Sequence, residues 1–204
     1  MAPLTLKEKL IRMIEREAEK SSKAGPGLIM AKMNSLADPE VIEALYHASG
    51  KGVTIKLNVR GICMLVPGVP GLSENIEVIS IVGRYLEHSR IFYFQNRGDE
   101  EVYMSSADWM PRNLVRRAEL MFPIEDVDLR QRSVDMLKIF FSDVDNAHRL
   151  LPDGSYRKLK PAADEEPLNC QVVFHREAVK KASQTRIDPK KAFTVRRKPP
   201  QKKK

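Results

Sequence analysis

Leu28-Ile29-Met30-Ala31-Lys32-Met33, then Asp38-Pro39-Glu40, then Val53-Thr54-Ile55-Lys56-Leu57-Asn58-Val59 is the stretch that decides the fold. The first run is short, largely apolar and bounded by turn residues, which predicts a buried strand. Asp38 can cap a helix and Pro39 suits its first turn, where a missing backbone N–H costs nothing. Val41, Ile42, Leu45 and Ala48 supply the inner face of that helix, and Gly50 and Gly52 close it. Val53, Ile55, Leu57 and Val59 then alternate on one side of a second strand. Strand, helix, strand at this spacing is a βαβ unit, so the sheet is at least partly parallel.

Upstream, Leu6, Leu10, Ile11, Ile14 and Ala18 recur at helical spacing, and Ser21 to Gly27 ends the helix. Downstream, strands are predicted over Ile76 to Val82, Arg90 to Phe94, Glu101 to Met104 and Arg117 to Phe122. A second amphipathic helix is predicted from Glu125 to Phe141. The pattern then loosens into short pieces, with a turn at Asp153-Gly154-Ser155-Tyr156 and a late strand over Gln171 to Phe174. No internal repeat is present.

The 204 residues suffice for one domain with its own core and extensions. With 42% hydrophobic and 30% charged residues, the composition is that of a soluble globular protein. No apolar run approaches the roughly 18 residues that span a bilayer. No secretory signal is expected from Met1-Ala2-Pro3-Leu4-Thr5-Leu6-Lys7, which lacks an apolar core. Cys63 and Cys170 match neither a disulfide framework nor a zinc site, so a reducing, cytoplasmic setting is expected. The net charge of +8 owes much to Arg196-Arg197-Lys198-Pro199-Pro200-Gln201-Lys202-Lys203-Lys204; without it the body is only slightly basic. That tail reads either as a solvated extension or as an accessory arm for a polyanion.

The residues that could carry chemistry gather around strand ends. Arg60 closes the second strand and leads into the loop Pro67-Gly68-Val69-Pro70-Gly71, and ligands of open α/β sheets gather at carboxyl ends of strands. A guanidinium there either clamps a phosphate through its planar fork or makes a salt bridge at the sheet edge. His88 can exchange a proton near neutral pH, or serve only as a structural hydrogen-bonder. Arg90, two residues on, should share its face of a strand. Of Arg112, Arg116 and Arg117, one should face inward. Asp108 should either orient a base or cap the following turn, and Trp109 should anchor packing. His47, His148 and His175 read as surface residues. No Walker-type Gly-x-x-x-x-Gly-Lys-[Ser/Thr] sequence occurs, nor a nucleophile elbow.

Ala31-Lys32-Met33-Asn34-Ser35-Leu36, Val59-Arg60-Gly61-Ile62-Cys63, Pro67-Gly68-Val69-Pro70-Gly71-Leu72-Ser73-Glu74-Asn75, Leu86-Glu87-His88-Ser89-Arg90 and Ser105-Ser106-Ala107-Asp108-Trp109-Met110-Pro111-Arg112-Asn113 together resemble the C-terminal half of bacterial polyphosphate kinase. The resemblance is dense from about Leu4 to Ile124 and thinner through about Lys180. It implies a phospholipase D-like mixed α/β sheet flanked by helices, with two such domains facing one another around a tunnel. It also implies reversible transfer of the terminal phosphate of ATP to polyphosphate through a phosphohistidine. In this frame residues 1–25 are a connector helix, 26–182 the C-terminal domain and 183–204 a basic disordered tail.

The same resemblance places ATP or phosphate contacts on Arg60, His88 and Arg117, with His88 assisting transfer as general acid or charge stabiliser. The phosphorylated His and the groups that hold Mg2+ would belong mainly to a preceding domain and to the nucleotide. The implied partners are ATP or ADP, inorganic polyphosphate, the N-terminal portion of the same enzyme and further copies in a homo-oligomer, with no specific nucleic acid. The implied location is cytoplasmic, with peripheral membrane association open. The phospholipase pattern His-x-Lys-x4-Asp is incomplete, since Arg90 and Gln95 replace Lys and Asp. The alternative is a non-catalytic polyanion- or nucleic-acid-binding module acting through the tail and the arginines.

Overall fold

The computed structural model describes residues 1–161 and 166–184. In chain order the elements are α1 (Leu6–Lys20), β1 (Leu28–Met33), α2 (Pro39–Gly50), β2 (Thr54–Val59), β3 (Ile76–Ile81), β4 (Ile91–Phe94), β5 (Glu101–Ser105), β6 (Met121–Pro123), α3 (Val127–Phe141), β7 (Ala147–Leu150), β8 (Tyr156–Lys158) and α4 (Cys170–Gln184). Residues 1–171 form one compact unit; the described part of the second, 172–184, continues α4. The basic segment Arg196 to Lys204 lies outside the described residues.

Asp38 accepts a hydrogen bond from Val41 N at 3.3 Å and Pro39 opens α2. The helix returns the chain so that β2 lies parallel to β1, with Ile29 opposite Ile55 and Lys32 opposite Asn58. The βαβ reading therefore holds. One mixed sheet of eight strands grows around this pair in the order β6-β5-β4-β1-β2-β3-β7-β8. Among the named strands β1-β2 and β2-β3 pair in parallel and the other neighbours pair antiparallel. The expected mixed α/β sheet flanked by helices is the architecture observed.

Strand alternation assigns the two faces. Ile29, Ala31 and Met33, with Ile55, Leu57 and Val59, pack in one core with Leu6, Leu10 and Ile14 of α1 and Val41 and Leu45 of α2. The segment read as a connector thus builds its inner face into the main core. On the other face Met30, Ile91, Tyr93 and Val102 pack against Val134 and Leu137 of α3. That second face turns polar toward β2 and β3, where Lys56, Asn58 and Glu77 replace apolar residues.

Two predicted strands are corrected. Gln171 to Phe174 is helical, part of α4, whose first N–H (Cys170) is capped by Asp143 Oδ2 at 2.8 Å. Of the predicted strand Arg117 to Phe122 only Met121 and Phe122 are extended into β6, and the residues before that segment, Arg112–Arg116, make one wide helical turn. Buried Glu119 bonds Ser106 and Asn113, the latter at 2.8 Å, and so shapes this loop by side-chain contacts rather than a ladder. The hairpin of β7 and β8 closes on the turn at Asp153-Gly154 and was not predicted as strand.

Candidate functional site

β4 runs antiparallel to β1 and to β5. The carboxyl ends of β1, β2 and β3 therefore meet the amino end of β4 and the carboxyl end of β5 along one rim. Four segments line it: 34–38, 60–64, 82–90 and 106–120. The three sequence-predicted site residues, Arg60, His88 and Arg117, all stand on this rim.

Arg60 follows β2 and, by alternation, shares the α3 face with Asn58 and Lys56. It is half-buried, and its side chain makes no ion pair or hydrogen bond among the described residues. Its position is fixed through the backbone: Gly61 N donates to Asn34 O at 2.7 Å, and Ser80 Oγ donates to Arg60 O at 3.2 Å. A Cβ at Gly61 would come within 3.0 Å of Asn34 O, which explains the glycine beside the arginine.

His88 lies in the connection between β3 and β4 rather than on a strand, and it is exposed. Arg90 also precedes its strand, so the expectation of a shared strand face is replaced by a direct bond. Arg90 Nη1 donates to His88 O at 2.8 Å. The same guanidinium is clamped by Asp108, with Nε to Oδ1 at 3.2 Å and Nη2 to Oδ2 at 3.1 Å. Asp108 Oδ1 also accepts from Asn34 N at 2.7 Å and Ser35 N at 3.3 Å. Asp108 therefore caps the end of β1 and neutralises Arg90, and it does not cap the turn that follows it. Trp109 is fully buried on Phe92, with ring centroids 4.9 Å apart, as a packing anchor.

Arg112, Arg116 and Arg117 are all exposed, so the expectation that one faces inward fails. Arg117 stands just past the wide helical turn, in extended backbone, with no ion pair among the described residues. His47 and His175 are exposed, while His148 is half-buried on β7.

Lys32 is the residue that sequence reasoning overlooked. Within an apolar strand it reads as an interruption, yet it is only 4% exposed and faces the rim from below. Its Nζ lies 3.3 Å from Glu87 Oε2, donates to Ser89 O at 3.3 Å, and sits over the Phe140 ring at 4.9 Å from the centroid. Burial above all pulls its ammonium below the ordinary 10.5, with Glu87 opposing and the nearby Arg60 charge adding to the fall. Lys32 thus ties β1 to the loop that bears His88. The buried Asn58 amide nitrogen, opposite Lys32, has no partner among the described residues and is a further donor on this face.

This rim is a set of donors and cations matched to anionic oxygens. Among the described residues no group of three or more His, Cys, Asp or Glu side chains is placed to hold a metal ion. The donor set does not fit Mg2+.

The family model for polyphosphate kinase C-terminal domain 2 matches residues 1–171. The chain belongs to the polyphosphate kinase family. It is 50% identical over 197 residues to polyphosphate kinase of Rhodopirellula baltica, covering 97% of this chain and 23% of that protein. It is 54% identical over 173 residues to polyphosphate kinase of Pseudomonas aeruginosa, covering 85% of this chain and 25% of the relative. The crystal structure of polyphosphate kinase from Porphyromonas gingivalis superposes with a TM-score of 0.82 at 42% identity, covering 89% of this chain and 28% of that one. The chain thus spans about a quarter of the length of these polyphosphate kinases.

Proposed function

We propose that the rim forms one wall of a phosphoryl-transfer site, as the C-terminal catalytic part of a polyphosphate kinase. The reaction would move the terminal phosphate of ATP reversibly onto polyphosphate through a phosphohistidine in the part of the relatives outside the matched quarter. Arg60 would clamp a nucleotide phosphate, Arg117 would hold the anionic chain, and His88 would act as general acid or charge stabiliser. Transfer through a loose transition state spreads charge over equatorial oxygens, and fixed cations facing that charge are what the protein must supply.

The observation that carries this reading is the contrast between two arginines. Arg90 is consumed by Asp108, whereas Arg60, at the carboxyl end of β2 on the same rim, keeps its guanidinium uncommitted among the described residues. A second feature supports a divided site. Ile62, Met64 and Leu86 stand on the same rim at 58%, 65% and 72% exposure, apolar surface suited to being covered by another domain. Mg2+ would be held mainly by that domain and the nucleotide. A homo-oligomeric assembly and a cytoplasmic location, with peripheral membrane contact open, belong to the same proposal. Among the described residues no helix is long and apolar enough to cross a membrane.

The test is reconstitution. This chain should form no polyphosphate from ATP by itself, and should do so when combined with the remaining portion of a family enzyme. Full activity from the chain alone would overturn the divided site. In the reconstituted enzyme His88→Ala should lower kcat by about 100-fold, the usual scale for a lost general acid, with little change in the unfolding midpoint.

A further inference from the structure

The connection that bears His88 has no apolar anchor. None of residues 82–90 is buried, and Val82, Tyr85 and Leu86 are exposed. Ordering such a loop costs backbone entropy that burial does not offset, so polar contacts must hold it. On one side Arg90 grips His88 O. On the other, a single amide does the work. Gln171 Oε1 accepts from Tyr85 N at 2.9 Å, and its Nε2 donates to Tyr85 O at 2.9 Å and to Glu87 Oε1 at 2.7 Å.

These contacts use both N–H groups and the carbonyl of the amide, a combination that neither a carboxylate nor an ammonium can reproduce. The pair on Tyr85 imitates the reciprocal bonding of an antiparallel strand. Glu87 passes the restraint on to Lys32, which also holds Ser89 O. Gln171 is itself 6% exposed and fixed in the first turn of α4, because Cys170 N is capped by the fully buried Asp143. The loop is shaped to receive it: a Cβ at Gly83 would stand 2.6 Å from Gln171 Oε1.

We propose that Gln171 is a positioning residue, which together with the space left at Gly83 fixes the backbone that presents His88 to the phosphate rim. This rests on the reading of His88 as part of a phosphate site. Gln171 touches no substrate in this account; it acts through Tyr85, Glu87 and Lys32.

The experiment uses the full chain, with amide hydrogen exchange read by NMR and short-chain inorganic polyphosphate as the binding probe. Gln171→Ala removes the clamp, whereas Gly83→Ala displaces it and leaves α4 intact. Both should speed exchange of the Tyr85 amide, which donates to Gln171, by about 100-fold, as expected when a protecting hydrogen bond of a local unit is lost, while Leu57 and Val78 keep wild-type protection. Both should weaken polyphosphate binding about tenfold, since an unfixed site must be ordered on binding. The unfolding midpoint of Gly83→Ala should stay near wild type. Gln171→Glu should fail similarly beside Glu87, and adding Glu87→Gln should recover part of the loss. Unchanged exchange at Tyr85 in both single variants would overturn the proposal. If wild type binds no polyphosphate while exchange behaves as described, the phosphate reading falls and the positioning role stands.

Discussion

Removing the Asp108 carboxylate should destabilise the fold strongly. Its side chain is 9% exposed and takes four donors: the backbone N–H of Asn34 and Ser35, and Nε and Nη2 of Arg90. Deleting one partner of a buried ion pair costs about 3–5 kcal/mol, because the other charge stays desolvated. Arg90, 19% exposed, can recover some hydration, which places its share near the lower bound of about 3 kcal/mol. The buried Asn34 N–H then lacks an acceptor, adding about 1 kcal/mol. Asp108→Ala should therefore cost about 4 kcal/mol, and Asp108→Asn, which keeps one acceptor for the backbone, about 2 kcal/mol. Urea unfolding followed by circular dichroism reads both, provided the slope with denaturant is unchanged. A loss below about 1 kcal/mol for Asp108→Ala at constant slope would refute the claim that this carboxylate ties three rim segments together.

Three further outcomes test other parts of the account. Because burial holds the folded Lys32 below 10.5, the unfolded chain binds more protons in the window between the folded value and 10.5, so stability from this group rises with pH there. Wild type should gain on Lys32→Met as pH climbs through that window, and a pH-independent difference in urea midpoints would contradict the burial argument. Asp38→Ala removes the cap of α2 and the partner of Lys7 at 3.0 Å, and should cost about 1–2 kcal/mol in the same unfolding assay. Arg117→Ala should change stability by less than about 0.5 kcal/mol, since the side chain is exposed. It should still weaken polyphosphate binding and flatten its dependence on salt in a titration series.

Legibility in the sequence followed the range of the interactions. The βαβ unit could be read because its determinants are local: a capping Asp, a Pro in the first turn and alternating branched residues. α4 was mistaken for a strand because Val172, Val173 and Phe174 favour extended backbone, while its cap, Asp143, lies 27 residues away. The loop after Trp109 was misjudged for the same reason, being organised by Glu119 with Ser106 and Asn113. β8 escaped because its three residues are all exposed and show no alternation. Arg60 and His88 were nominated from strand ends and side-chain chemistry, whereas Lys32, Asp108 and Gln171 hold the rim through partners that only the fold brings near.

The most direct test of the central claim is an NMR titration of this chain with short-chain inorganic polyphosphate, repeated with Arg60→Ala, His88→Ala and a chain shortened before Arg196. Shifts confined to the rim, lost with Arg60→Ala and weakened by His88→Ala while the shortened chain still binds, are the predicted result. Binding that survives both substitutions and vanishes with the basic tail would contradict the account and favour a general polyanion-binding module.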